Sequence, residues 1–230
     1  QAAKPELMRK NLGLKMIRRA NSIGHHYFIA NLTSKDIASS VALAVSEKHG
    51  IWYNPMTGEY HEAAIGDKGI QLNLKSGESR ILITSNKPVN EWKLGSKVKV
   101  GGKEAIAAAD SKTIDLTANT WKLSFTEDAP KVGETFNLKG LKTWESLSEK
   151  AKVMMGTGIY ETTIKLSKDD AKKQWTIDLG DVRESARVYI NNKYVGCAWA
   201  VPYILNCKDA LNKGKNTIRI EVTNLPANRI

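Results

Sequence analysis

Trp175-Thr-Ile-Asp-Leu-Gly-Asp-Val-Arg-Glu-Ser-Ala-Arg-Val-Tyr-Ile-Asn-Asn-Lys-Tyr-Val-Gly196 decides the fold class of this chain. It reads as three short strands. Asn191-Asn192 forms the tight turn between the second and third, because asparagine tolerates the left-handed backbone that a two-residue hairpin turn requires. In Leu179-Gly180-Asp181-Val182 a strand ends. Gly180 supplies an unusual backbone angle there, and Asp181 is expected to accept hydrogen bonds from nearby turn amides. Trp199-Ala-Val-Pro-Tyr203 follows directly, placing two aromatic residues around a proline just after the hairpin.

Outward from this stretch, period-two alternation is the dominant pattern. His26–Asn31, Ser40–Val45, Gly69–Leu74 and Ser79–Thr84 read as strands in the first half. Ile70, Leu72 and Leu74 alternate with Gln71, Asn73 and Lys75, which puts one face inward and one outward. In the second half Thr120–Phe125 places Trp121, Leu123 and Phe125 on one face. Gly158–Leu166, Gln174–Leu179, Ala186–Ile190 and Asn216–Thr223 repeat the style. Turn signals at Asn54-Pro-Met-Thr-Gly58, Gly66-Asp-Lys-Gly69, Ser76-Gly77 and Gly101-Gly102 punctuate these runs. Helical signal is confined to Trp144–Lys152 and Lys208–Asn212, and Met8–Ala20 reads as part of an element. Many short strands with glycine, proline and asparagine between them predict an all-β chain of two consecutive β-sandwiches. The boundary is expected near residue 118, giving domains 1–118 and 119–230. The segment Gly101–Ala118 is small, polar and weakly patterned, and a tryptophan-bearing strand opens after it.

The chain has 230 residues, 41% hydrophobic and 26% charged, which suffices for one or two cores without covalent staples. No apolar run is long enough to span a membrane. The net charge of +11 is spread over both halves, not gathered into a stripe, and so is not read as a nucleic-acid footprint. Cys197 and Cys207 form a disulfide if the chain is exported, or are two small buried residues; the second reading is favoured. The four histidines lie far from them in sequence, against a structural zinc site. Asn31-Leu-Thr33 matches a glycosylation sequon.

Few constellations carry chemistry. Gly156-Thr-Gly158 lacks the Lys-Ser/Thr of a phosphate loop, and no Gly-x-Ser-x-Gly is present. Glu161, Asp178, Glu184 and Glu221 are carboxylates, but nothing in their spacing pairs any two across a cleft as glycoside hydrolysis requires. Trp199, Tyr203 and Trp144 are candidate carbohydrate contacts, since aromatic rings on sandwich loops stack on the apolar face of a pyranose. The competing reading is that they fill core. Trp52 and Tyr53 are read as packing.

A family resemblance rests on an ordered set of residues. Trp121–Phe125, Trp144, Gly156-Thr-Gly-Ile-Tyr160, Trp175–Val182, Ala186–Asn191, Val195-Gly196, Trp199, Pro202-Tyr203, Gly214–Asn216 and Val222–Ile230 follow one another in the chain. In that order they resemble the carboxy-terminal galactose-binding-like domain of bacterial α-L-rhamnosidase-type enzymes, glycoside hydrolase family 106. They are also similar to the sugar-binding domain of the β-galactosidase and β-glucuronidase family. Arg18-Arg19, His26–Asn31, Asn54–Gly58 and Leu74–Ser79 resemble the β-sandwich segment that follows the catalytic barrel of the rhamnosidases. The resemblance implies that the second sandwich is a galactose-binding-like jelly roll. It also implies a bacterial parent enzyme that removes terminal rhamnose from plant glycans, by inversion with calcium assistance. The acid and base of such enzymes lie on an upstream (β/α)₈ barrel, and this chain shows no such βα alternation. No catalytic residue or calcium ligand is therefore carried over, and no cofactor is expected in this chain. Family members continue beyond Asn228-Arg-Ile230, which implies a fragment of a longer product. The expected role is a non-catalytic accessory portion that scaffolds the barrel and contacts oligosaccharide. Its expected partner is that upstream barrel, with no nucleic acid and no membrane, and its expected location is the periplasm or cell surface. The alternative is a purely structural or interaction module without sugar affinity.

Overall fold

The alternation read at Gly69–Leu74 is realised in the fold: Ile70, Leu72 and Leu74 are buried while Gln71 and Asn73 are exposed. The structure, a computed structural model, describes residues 4–56, 58, 60–92, 100–101 and 112–225. Gly102 of the expected Gly101-Gly102 turn, most of 101–118, Thr57 and the terminal 226–230 run lie outside the described residues. The chain divides into two compact units, Gln1–Ser111 and Lys112–Ile230. Both are all-β and both are layered as sandwiches.

In the first unit a short helix α1 (Leu7–Leu12) leads into β1 (Lys15–Ala20), β2 (Gly24–Ala30), β3 (Ile37–Val41), β4 (His49–Tyr53) and β5 (Tyr60–Ala63). Then come β6 (Ile65–Gly66), β7 (Gly69–Leu74), β8 (Ser79–Ser85) and β9 (Val100–Gly101). One sheet runs β1-β2-β8-β4-β5-β9 and the other β3-β7-β6. Tyr27, Ile29, Leu82, Trp52 and Ala63 from the first sheet meet Val41, Ile70, Leu72 and Leu74 from the second in one core. Trp52 is packing, as read from the sequence. Gly13, with φ +69°, divides Met8–Ala20 into the helix and β1.

The expected strand Ser40–Val45 instead begins at Ile37 and ends at Val41. Past Val41 the backbone serves a buried carboxylate. Glu6 accepts from Arg18, from the Tyr27 hydroxyl at 3.1 Å and from the Ala44 amide at 2.9 Å. Burial, with the Glu6 carboxylate beside it, pushes the Tyr27 phenol well above its ordinary value. The Asn31 sequon is closed in the folded chain. Asn31 is fully buried, and its Nδ2 donates to the carbonyls of Lys35, Leu74 and Lys75.

The second unit contains β10 (Thr120–Ala129), β11 (Phe136–Lys139), helix α2 (Glu149–Val153), β12 (Met155–Leu166), β13 (Thr176–Asp178) and β14 (Ser185–Ile190). They are followed by β15 (Lys193–Ala198), β16 (Ile204–Asn206) and β17 (Gly214–Thr223). The main sheet runs β11-β10-β12-β17-β14-β15, antiparallel throughout, and β13 pairs with β16 in a second layer. Val188, Ile190 and Ile218 of the main sheet pack on Ile177, Cys207 and Ala210 from the covering layer. At the other side Trp121, Leu123 and Leu138 are covered by Trp144 and Leu147, and Val132, Ala151 and Met154 extend that cluster. Ser148 starts α2 by accepting from the Ala151 amide.

The stretch that decides the fold therefore contributes to both layers. β13 leaves the main sheet to pair with β16, while β14 and β15 form the hairpin. Asn191 and Asn192 turn it with φ of +52° and +63°. The Asn191 side chain also donates to Ala210 O at 2.9 Å and Asn216 Oδ1 at 2.8 Å, and accepts from the Thr217 amide at 3.0 Å.

Candidate functional site

One end of the second unit gathers the loops that carry exposed aromatic and charged groups. β14 starts there, β15 ends there, and the 179–184 turn and the 199–203 loop meet where the Leu179 amide donates to Tyr203 O at 2.9 Å. Trp199 is 61% exposed on this loop. Tyr203 on the same loop is half-buried. Burial, with Asp181 and Glu184 nearby, raises the Tyr203 phenol above its ordinary value, and Arg183 opposes that shift.

The polar residues around Tyr203 escaped the sequence reading in part. Asp181 was expected to bond turn amides. In the structure its carboxylate accepts from Arg183 Nη2 at 2.7 Å and Nε at 3.1 Å, and the Arg183 guanidinium holds it below the usual carboxylate range. Asp178 serves the turn instead, accepting from the Gly180 amide at 2.9 Å, with Gly180 at φ +68°. The sequence signal for the Asp181–Glu184 group was its position between Asp178, where β13 ends, and Ser185, where β14 begins.

Trp144 has a different setting. Its indole is half-buried in the cluster with Phe125, Phe136 and Leu147. Nε1 donates to the Tyr160 hydroxyl at 2.6 Å, and the ring stands edge-on to Phe125 at 5.3 Å. Trp199 and Tyr203 thus share one loop, whereas Trp144 is fixed by packing and by its own hydrogen bond.

Glu184 lies in the Tyr203 loop cluster. Glu161 and Glu221 fall on the solvent-side face of the main sheet, one on β12 and one on β17. Cys197 and Cys207 are both free thiols. Cys197 stands opposite Arg187 across the hairpin, on the solvent-side face, while Cys207 is in the core beneath Val188 and Ile190. Burial pushes the Cys207 thiol up to about 11. Among the described residues no group of three or more histidine, cysteine or acidic side chains could hold a metal ion. No helix among them is long and apolar enough to cross a membrane.

No protein-family profile matches the chain. A putative β-glucuronidase from Formosa agariphila is 30% identical over 174 residues, covering 71% of this chain and 15% of that protein. The rhamnosidase from a Novosphingobium species superposes with a TM-score of 0.70 at 22% identity, covering 94% of this chain and 20% of that one. The second likeness establishes a shared fold across both units. This chain spans a small fraction of the length of either protein.

Proposed function

We propose that this chain is a non-catalytic accessory portion of a glycoside hydrolase, made of two β-sandwiches of which the second is galactose-binding-like. The observation that supports it best is extent: 94% of this chain, and so both sandwiches, superposes on 20% of a much longer rhamnosidase chain. A relative of glucuronidase description shares sequence over most of the same length. The described carboxylates support a structural reading of their own. Glu6, Asp170 and Asp181 are each occupied by cationic partners or hydroxyl donors, and Asp178 holds a turn amide. On this reading the catalytic barrel belongs to the same polypeptide, any calcium belongs to that barrel, and the whole protein acts on rhamnose-containing glycans outside the cytoplasm.

Within this role, Trp199 and Tyr203 form the loop-end sugar contact. An exposed indole on the same loop as a phenol that has three charged side chains near it combines an apolar stacking face with hydrogen-bonding groups. Trp144 supports that end of the sandwich through packing. The test is a titration of tryptophan fluorescence with rhamnose, galactose and a rhamnogalacturonan oligosaccharide. It is run beside an assay for release of nitrophenol from an aryl α-L-rhamnoside. A saturable response lost in Trp199→Ala, with no turnover by the chain alone, is the expected result. Turnover would refute the accessory role, and a response unchanged in Trp199→Ala would remove the loop end from sugar binding.

A further inference from the structure

The solvent-side face of the main sheet in the second unit carries a row of side chains that the fold does not need for its core. Lys122 on β10 is in register with Glu161 on β12, Glu161 with Arg219 on β17, Arg219 with Tyr189 on β14, and Tyr189 with Tyr194 on β15. One transverse line thus reads cation, anion, cation, aromatic, aromatic across five neighbouring strands. With strands about 4.8 Å apart the row is about 19 Å long, the span of a short chain of sugars and not of one. The adjacent row adds Glu221 opposite Arg187, and the next is hydroxylic, with Thr126, Thr157, Thr223 and Ser185, where the buried Thr157 hydroxyl is already bonded to that of Thr223 at 2.8 Å.

The aromatic end is preorganised. Tyr189 and Tyr194 lie with ring centroids 5.4 Å apart, and the Arg219 guanidinium sits 4.1 Å above the Tyr189 ring. Tyr194 is 54% exposed. The polar end is held in place but its hydrogen-bonding capacity is not used up. Arg219 Nη2 is 3.5 Å from Glu221 Oε1 and Lys122 Nζ is 3.8 Å from Glu161 Oε2, ion-pair distances too long for good hydrogen bonds. The Arg219 side chain is 34% exposed and that of Glu221 15%. Carboxylates elsewhere in the unit are filled at shorter range, as at Asp170 with Lys112 at 2.7 Å.

We infer that this sheet face is a second carbohydrate site, distinct from the Trp199 loop end, which binds an extended oligosaccharide bearing uronate groups. Tyr194 stacks on a pyranose ring, and Arg219, with Glu161 and Glu221, engages hydroxyls and carboxylate along the chain. The charge of the face selects that ligand class. On this face Lys122, Arg187 and Arg219 outnumber Glu161 and Glu221. The inference rests on the accessory reading above, but a different residue tests it.

The experiment is calorimetric titration of the 230-residue chain with a rhamnogalacturonan oligosaccharide, with ¹⁵N-edited spectra of the same samples and free rhamnose as the short-ligand comparison. The oligosaccharide is expected to bind, more weakly as salt is raised, and rhamnose is expected not to bind at this face. Tyr194→Ala is expected to weaken binding roughly tenfold, the loss of about one aromatic contact, with Tyr194→Phe restoring it. Amide shifts should follow residues 122, 161, 189, 194 and 219. Undiminished affinity in Tyr194→Ala, or no saturable binding by the unaltered chain, overturns the site. Binding lost in Trp199→Ala but kept in Tyr194→Ala would overturn it while leaving the loop-end contact standing. Absence of all binding would leave only the scaffolding role, with this face a contact for protein.

Discussion

Gly158 has no room for a side chain. A Cβ there would lie 2.5 Å from Trp144 Cζ2 and 3.0 Å from Cε2, and the indole is pinned by its bond to Tyr160. Gly158→Val should therefore destabilise the second unit by about 1–3 kcal/mol through overpacking, read as a lower urea midpoint. Asn216 is the reverse case, a fully buried amide whose every group is used. Its Oδ1 accepts from Asn191 Nδ2 and the Asn212 amide, and its Nδ2 donates to the carbonyls of Asn212 and Gly214. Asn216→Ala strands several of these partners and is expected to cost about 2–3 kcal/mol in the same melt. The two cysteines should differ in reactivity. Cys207 is buried with its thiol pushed up to about 11, so it stays protonated at pH 8, and Cys197 is half-buried on the other face. Titration with a disulfide reagent should count one thiol in the native chain and two after denaturation; two fast thiols would show that the core around Cys207 opens.

At the scale of elements, the turn around Asp170 ties the start of the second unit to the strand that follows. Its carboxylate accepts from Lys112 at 2.7 Å, Lys173 at 3.0 Å and Ser167 at 2.9 Å, while its carbonyl accepts from Trp175 Nε1 at 2.8 Å. These bonds, Lys112 first, hold the Asp170 carboxyl well below the usual range. Because the folded value is depressed, the stabilisation is fully present above about pH 5 and is lost as pH falls from the ordinary carboxylate range toward the folded value. Asp170→Asn should accordingly lower the melting temperature at pH 7 and flatten its decline between pH 5 and 2; an unchanged slope would show that the clip contributes nothing. Elements were legible wherever one face was buried and the other wet. Gly69–Leu74 matches to the residue, and the Asn191-Asn192 turn follows from its own backbone chemistry. Ser40–Val45 was misplaced because its apolar spacing continues past the point where the Ala44 amide turns to Glu6, a partner 38 residues away. The pairing of β13 with β16 left no local trace, since a three-residue strand carries too little pattern to name its neighbour.

At the scale of the whole molecule, each unit encloses its own core, so residues 112–230 expressed alone should keep the fold. Their amide spectrum should overlay on that of the full chain, and a collapsed, poorly dispersed spectrum would show that the second core depends on the first unit. The sequence by itself determined that this protein is all-β, where most strands and turns lie, and which residues alternate inward, because these follow from period, backbone preference and composition within a few residues. It also supplied Trp199 and Tyr203 as neighbours, since one loop carries both. Only the tertiary structure decided that Trp144 belongs to a packed cluster, that Asp181 serves Arg183 instead of the turn, and that Lys122, Glu161, Arg219, Tyr189 and Tyr194 form one line. The last of these depends on strand order and register, which join residues up to 97 positions apart, as Lys122 and Arg219 are. The free energy that selects register is spread over the whole buried face and is not written in any one strand.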